Sequence, residues 1–277
     1  FYGMGSQMGH DGRSWMNGLQ GHQAMSHLIS IWDDGHDQNG CPAPFDCEGI
    51  VRQRVDIVTD GVVRNPVYNS YTAGKENKLS TGHQISPVGG PSAHNLFMSP
   101  GIHSEDQLIQ STDYGIYITR FFYTRLVHST GCTMTGMTRD GTFLIENGQI
   151  TKPIKDLRFT QSYVGALKNA EMVGSENTLH INEGSSSSNV PAIKVNSFNF
   201  TGQDGITYRF KSVAKDSLGN LELKGTYDTE VRIDLELPKS TLWLVEGDLQ
   251  FTNLDGVTIK WKPDNSSDIL GYLIEYR

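Results

Sequence analysis

The chain has 277 residues, a formal net charge of −8, 36% hydrophobic and 19% charged residues, and 30 glycines. Low hydrophobic and charged fractions with abundant glycine favour a turn-rich, strand-rich protein over a helical bundle. The acid excess and the lack of any Lys/Arg cluster argue against direct nucleic-acid binding, which needs a basic face. No apolar run reaches the roughly 18–20 residues that a membrane helix needs, and no basic-then-apolar start marks a signal peptide.

Residues 1–40 are rich in Gly, His, Met and Asp, with one strand-like run, His27–Trp32, before the loop "DDGHDQNG". "VDIVTDGVVRNPVY" predicts a hairpin, because Asp60-Gly61 suits a turn whose central residues take positive φ and β-branched residues flank it. "SPGIHSEDQLIQSTDYG" predicts a short helix: Ser104 and Gln107 form a capping box, Leu108 and Ile109 supply a core face, and Gly115 ends it. Ile116–Val127 then reads as one long strand. "TFLIENGQITKPIK" repeats the hairpin pattern around Asn147-Gly148.

"TQSYVGALKNAEMVG" predicts a second helix, capped by Thr160 or Ser162 and ended by Gly174. "NEGSSSSN", residues 182–189, has loop or linker composition, and "VPAIKVNSFNF" returns to strand. After Phe200 the pattern is strands and turns with no helix, the grammar of an all-β sandwich.

Taken in order, "PFDCEGI" (Pro44–Ile50), "DGV" (Asp60–Val62), "KLSTGH" (Lys78–His83), "NLFMSPG" (Asn95–Gly101), "DYGIYITRFFY" (Asp113–Tyr123), "GMTRDGTFLIENGQI" (Gly136–Ile150), "LRFTQS" (Leu157–Ser162) and "VPAIKVNSFNFTG" (Val190–Gly202) resemble the C-terminal part of the TldD/PmbA family. Gly12–Gly35 resembles the segment before "PFD" in that family. These proteins are related to metallopeptidases and are also called modulators of DNA gyrase. The resemblance implies an α+β, β-rich domain over residues 1–202, with few helices and a mixed β-barrel-like core. It also implies a partnership with a related subunit or with self, a peptide substrate held in a cavity, and a cytoplasmic location. Residues 203–277 are expected to form a β-sandwich segment resembling incomplete fibronectin type III modules, with Trp261 and Tyr272 in its core. If that tail is a surface module, the location would be extracellular.

The family's active member carries an HExxxH helix upstream of the matched segment, with two histidines on one helix face and a Glu to polarise water. This sequence has no such motif: His22 and His27 are followed and separated by residues that do not include the Glu. The family's later Cys ligand has no counterpart in "NEGSSSSN". No catalytic residue, metal ligand or cofactor is therefore carried over to this chain. Zinc is expected only if a metal-binding helix precedes Phe1, which as a first residue points to a processed or partial chain.

Other candidates have commoner roles. His10, His22, His27 and His36 with Asp11, Asp33, Asp34 and Asp37 could ligate a metal, but surface histidines in a polar loop are the usual case. Cys132 beside His128 could be a nucleophile, whereas a small buried Cys is the more frequent role. Glu146 could be an acid, though its place beside a tight turn suits hydrogen bonding. "TRDG" reads as a turn at Asp140-Gly141. Arg120, Arg125 and Arg139 are candidate peptide-contacting residues, since the guanidinium is a planar donor fork; regular alternation would put Arg120 and Arg125 on opposite faces. Cys41, Cys47 and Cys132 are expected to be reduced, with a Cys41–Cys47 bridge possible in an oxidising compartment. Asn199 and Asn265 match the glycosylation pattern, which acts only on a secretory route.

Overall fold

A computed structural model describes residues 2–181 and 186–198, and beyond them the backbone of six short strands between 200 and 276. The chain divides into two compact units, Phe1–Asn199 and Phe200–Arg277. In the first unit the order is α1 (Ser6–His10), β1 (Ile31–Asp33), β2 (Val55–Thr59), β3 (Val62–Val63), α2 (Ser70–Lys75), β4 (Asn95–Met98) and α3 (Glu105–Gln110). There follow β5 (Tyr114–His128), β6 (Thr133–Glu146), β7 (Gln149–Pro153), β8 (Arg158–Ser162), α4 (Tyr163–Lys168), β9 (Ala170–Ile181) and β10 (Ser187–Val195).

One sheet has the order β3-β2-β1-β4-β10-β9. All its neighbours are antiparallel except β4 and β10, which pair in parallel with Asn95 opposite Ser187. Its core is aliphatic and Met-rich: Met4, Met16, Met25, Ile29, Ile31, Ile57, Val58, Val63, Val67 and Met98 are buried together. Leu167, Ala170 and Val173 join the same core, which is why α4 and the start of β9 lie against it.

Both expected hairpins form. Asp60 and Gly61 have φ of 49° and 79°, and Asn147 and Gly148 have 51° and 75°, the paired positive values that a type I′ turn requires. The helix at 104 forms with its capping box, in which Ser104 Oγ accepts from the Gln107 amide at 3.2 Å and Gln107 Oε1 accepts from the Ser104 amide at 2.9 Å. That helix ends at Gln110 rather than near Gly115, which lies inside β5.

Three expectations need correction. The core is not a barrel. The described strands β8, β6 and β5 form a second sheet in that order, and β7 pairs with the far end of β6. Closure needs the first and last strands to pair. Here β6 divides its outer edge, giving Thr133–Met137 to β8 and Phe143–Glu146 to β7. Both sheets stay open among the described residues. Second, "TRDG" is no turn. It lies within β6, where Asp140 (φ 64°) and Gly141 (φ 150°) make a bulge opposite the register shift between Ile118 and Arg120. Third, the helix begun by "SYVGALK" stops after one turn and a half. Ser162 Oγ caps it by accepting from the Gly165 amide at 3.1 Å, but residues 170–174 join β9. There Val173 pairs with Ile193 and is buried, so burial and the sheet ladder outweigh helix propensity. In the same way Ser187–Asn189 of "NEGSSSSN" belong to β10, while 182–185 lie outside the described residues.

Helix α2 escapes a reading based on apolar period because it has little apolar face. Its signal is the cap: Asn69 Oδ1 accepts from the Thr72 amide at 2.8 Å. In the second unit the strands are β11 (Phe200–Thr201), β12 (Thr207–Lys211), β13 (Ala214–Lys215), β14 (Leu221–Glu222), β15 (Thr229–Arg232) and β16 (Leu273–Tyr276). They include the antiparallel order β15-β12-β16 and the pair β13–β14. Trp261, Tyr272 and Asn265 lie outside the described residues, as does Asn199.

The polar centre of the first unit is Asp33, fully buried at the end of β1. Its Oδ1 accepts from Arg52 Nη2 at 2.5 Å and His83 Nε2 at 2.9 Å. Its Oδ2 accepts from the amides of His94 at 2.5 Å and Asn95 at 2.8 Å. Burial pushes the Asp33 carboxyl up, but the bonds from His83, the Arg52 charge and the His94 amide outweigh it and hold it below the usual range.

Removing one partner of a buried ion pair leaves the other charge uncompensated, at a cost of about 3–5 kcal/mol. Asp33→Asn is accordingly expected to lower the unfolding free energy obtained from urea titration by an amount in that range; a change under about 1 kcal/mol would show that Arg52 is otherwise satisfied. The folded-state pKa is depressed, so this stabilisation is present above the unfolded value of about 4 and is lost as pH falls through the folded value. An acid titration of stability should therefore be steeper in the wild-type chain than in Asp33→Asn.

Candidate functional site

Two clefts flank α1. The first, of about 270 Å³, is lined by Tyr2–Gly5 and Met8 on one side and by Pro91–His94, Leu96 and Ser186–Ser188 on the other. Its walls are fixed by the Asp33 centre. The amides of His94 and Asn95 are tied to Asp33 Oδ2, so the Pro91–His94 wall is anchored at its base. The buried Asn95 side chain carries the anchor onward. Its Oδ1 accepts from Ser187 Oγ at 2.5 Å and from the Cys41 amide at 2.8 Å, and its Nδ2 donates to the carbonyls of Asp34 at 2.6 Å and Asp37 at 3.1 Å. The Ser187 amide in turn donates to the His94 carbonyl at 2.9 Å.

The facing wall is set by close backbone approach. A Cβ on Gly5 would stand 2.0 Å from the Pro91 carbonyl oxygen, so only glycine fits there. Gly5 is bridged to Val67 on its other side, with the Val67 amide donating to the Met4 carbonyl and the Ser6 amide to the Val67 carbonyl, both at 3.0 Å.

The lining offers hydroxyls, backbone groups and one imidazole, His94, with no carboxylate and no thiol. A zinc centre takes three or four N, S or O ligands in fixed geometry. Among the described residues no group of three or more His, Cys, Asp or Glu converges, so these residues do not fit the metal that the sequence resemblance brings to mind. Neutral donors and acceptors along a groove suit the main chain of an extended peptide.

The histidine and aspartate candidates are dispersed. Asp33 is structural, His10 bonds Glu76 at 2.8 Å, His22 bonds the Gln20 carbonyl at 3.1 Å, and His36 Nε2 donates to the Arg52 carbonyl at 2.8 Å. Cys41, Cys47 and Cys132 are all free thiols. Cys132 is fully buried, and burial pushes its thiol up, which suits a core residue and not a nucleophile. Glu146 Oε2 accepts from Thr151 Oγ1 at 2.7 Å across the Asn147-Gly148 hairpin.

The three arginines are partly brought together. Arg120 and Arg139 face each other across β5 and β6 and flank Asp140, at 3.2 Å and 3.3 Å. All three side chains are about half exposed. Arg125 is elsewhere, stacked on Tyr123 with its Cζ 4.3 Å from the ring centroid. Tyr123 has φ 51°, and the register shifts between Phe122 and Arg125, so simple alternation does not apply to this strand. Sequence reasoning missed Asn95 and Gly5. Both stand in or beside Gly- and Asn-bearing motifs whose role shows only when the partner segments, 54–92 residues away, are in place.

The PmbA/TldA metallopeptidase C-terminal domain model matches residues 3–202. The chain is 27% identical over 189 residues to a metalloprotease TldD homolog of Buchnera aphidicola, covering 66% of this chain and 38% of that one. It is 27% identical over 157 residues to metalloprotease PmbA of Escherichia coli, covering 56% and 33%. The chain thus spans well under half the length of these curated relatives. Its fold is that of a modulator of a DNA gyrase from Thermotoga maritima, with TM-score 0.64 and 23% identity over 72% of this chain and 45% of that one. TldE from Thermococcus kodakarensis gives TM-score 0.63 and 19% identity over 72% and 46%. With a family model covering well over half its length, the chain belongs to the PmbA/TldA metallopeptidase C-terminal domain family.

Proposed function

We propose that this chain is the C-terminal part of a peptidase-related subunit, and that it holds peptide while metal ligands come from other segments or from a related subunit. The observation that carries this is the Ser186–Ser188 cleft, whose walls are held rigidly by Asp33 and Asn95 while its lining lacks a ligand set. Relatives named as metalloproteases support the peptidase side of the reading. Likeness to TldE supports a related subunit as partner. In such an assembly this domain would position the chain to be cut.

A second reading, a non-catalytic assembly protein, is favoured by one feature. Strand β5 exposes Phe121, Phe122, Tyr123 and Val127, with relative accessibilities of 36–64%, and the family match ends at residue 202.

Metal content by mass spectrometry, paired with cleavage of an unfolded protein such as casein, tests the first reading. The purified 277-residue chain is expected to hold far less than one zinc and to leave casein intact. Adding the upstream family segment or a related subunit should bring about one zinc per site and cleavage. A full zinc on this chain alone would sink the proposal, and a concentration-dependent filament with no cleavage in any combination would favour assembly.

The arginines give a separable test. Arg120→Ala with Arg139→Ala should weaken binding of unfolded casein by about tenfold, or roughly 1.4 kcal/mol, while Arg125→Ala stays within about twofold. Unchanged affinity in the double variant would remove these residues from peptide contact.

A further inference from the structure

On the other side of α1 lies a second cleft, of about 430 Å³, bordered by His10, Gln20, Arg64, Tyr68, Glu76 and Lys78. It shares only Gly5 with the first cleft. Its floor is a closed polar network around the Glu76 carboxylate. Oε1 accepts from His10 Nε2 at 2.8 Å; Oε2 accepts from Tyr68 Oη at 2.8 Å and Lys78 Nζ at 2.7 Å. Lys78 also donates to Tyr68 Oη at 2.7 Å.

This network is unsuited to acid–base work. Burial raises Glu76, yet the donors Lys78, His10 and Tyr68 more than offset it and bring the carboxyl down to about 2. Burial raises Tyr68, and its bonds to Glu76 raise Lys78. Glu76, Tyr68 and Lys78 are thereby held in their ordinary charge states near neutral pH, so none of these three is poised to exchange a proton.

What remains is a binding surface with a positive excess. Glu76 is neutralised by Lys78 beside it. Arg64 has no ion-pair partner among the described residues, and the Gln20 side-chain amide has no hydrogen-bond partner among them either. Two acids outside the lining, Asp11 and Asp56, are paired with other arginines, Arg13 at 3.0 Å and Arg54 at 3.1 Å. In a chain of net charge −8, this is a local site for an anion. The guanidinium fork matches the two oxygens of a carboxylate, and the volume lies in the range of small-ligand sites.

We propose that this cleft binds a small carboxylate, with Arg64 gripping the carboxylate and Gln20 completing the contact. The proposal does not rest on the peptidase reading, since it concerns a different cleft and needs no metal. The carboxylate could be the C-terminus of a short peptide or a free organic acid.

Calorimetric titration of the 277-residue chain with N-acetyl-dialanine, its C-terminal amide and succinate separates these sources. The free acid of the peptide or succinate should bind at least about tenfold more tightly than the amide. Binding of the peptide acid alone points to a peptide C-terminus; binding of succinate points to organic acids. Arg64→Ala should reduce that binding by about tenfold and Arg64→Lys should restore part of it. Arg64 is exposed, so neither variant threatens the fold. The proposal is overturned if acid and amide bind alike, if neither acid binds at millimolar concentration, or if Arg64→Ala binds as the parent does.

Discussion

A single buried carboxylate organises the first unit. Asp33 sits at zero exposure and takes four hydrogen bonds, two from side chains and two from backbone amides. Burying a charge is costly unless it is paired and fully bonded. Here the bonding is what ties four separate segments, at 33, 52, 83 and 94–95, into one block. Glycines make the approach possible. A Cβ on Gly35 would stand 2.6 Å from Arg52 Cβ, and one on Gly82, which has φ +72°, would stand 2.6 Å from the Val51 carbonyl oxygen. Larger residues at either place would force Arg52 away from Asp33.

The same block explains why the cleft beside Ser186–Ser188 is rigid. Asn95 receives its position from Asp33 and passes it to Ser187, which opens the only parallel pairing in the six-stranded sheet. Gly40 must be small for this to work, because a Cβ there would stand 2.0 Å from Asn95 Oδ1. Asp46 plays a similar part for the neighbouring loop, accepting from the amides of Glu48, Ile50 and Gln84. Much of the domain's polar chemistry is thus spent on holding loops still. Preorganised loops are what a peptide-holding surface needs, since ordering them on binding would cost affinity.

The fold was legible where local chemistry decides it. Asp60-Gly61 and Asn147-Gly148 announce their hairpins, and Ser104 with Gln107 announces a helix start, because turn and cap geometry depend on a few adjacent residues. The ordered motifs announced the family, and the structure shows what several of them do: "KLSTGH" supplies His83, "NLFMSPG" supplies Asn95, and "PFDCEGI" supplies Asp46. What stayed hidden was long-range. Nothing adjacent to Ala170 says that the chain must leave the helix to reach β10. Nothing in "TRDG" separates a turn from a bulge until β5 lies beside it. The Asp33 centre joins residues up to 62 positions apart, and an aspartate in a Gly- and His-rich loop reads from sequence as surface.

The electrostatics of the two clefts follow from this economy. Asp33, Asp46 and Glu76 each accept from several donors, and Glu76, the one carboxylate lining either cleft, is neutralised by Lys78. A cleft lined by open carboxylates would attract cations and repel the acidic ends of peptides. Here the cleft beside Ser187 is left neutral, and the one beside Arg64 is left positive although the chain as a whole is acidic. Helix α1 is the partition between them. Five residues long, it has too few turns to be stable alone. It stands because Met4 is buried in the core, Ser6 Oγ donates to Thr72 Oγ1 at 2.7 Å, and Gly5 is held between Pro91 and Val67. The two clefts thus share one wall, and that wall is held in place by tertiary contacts.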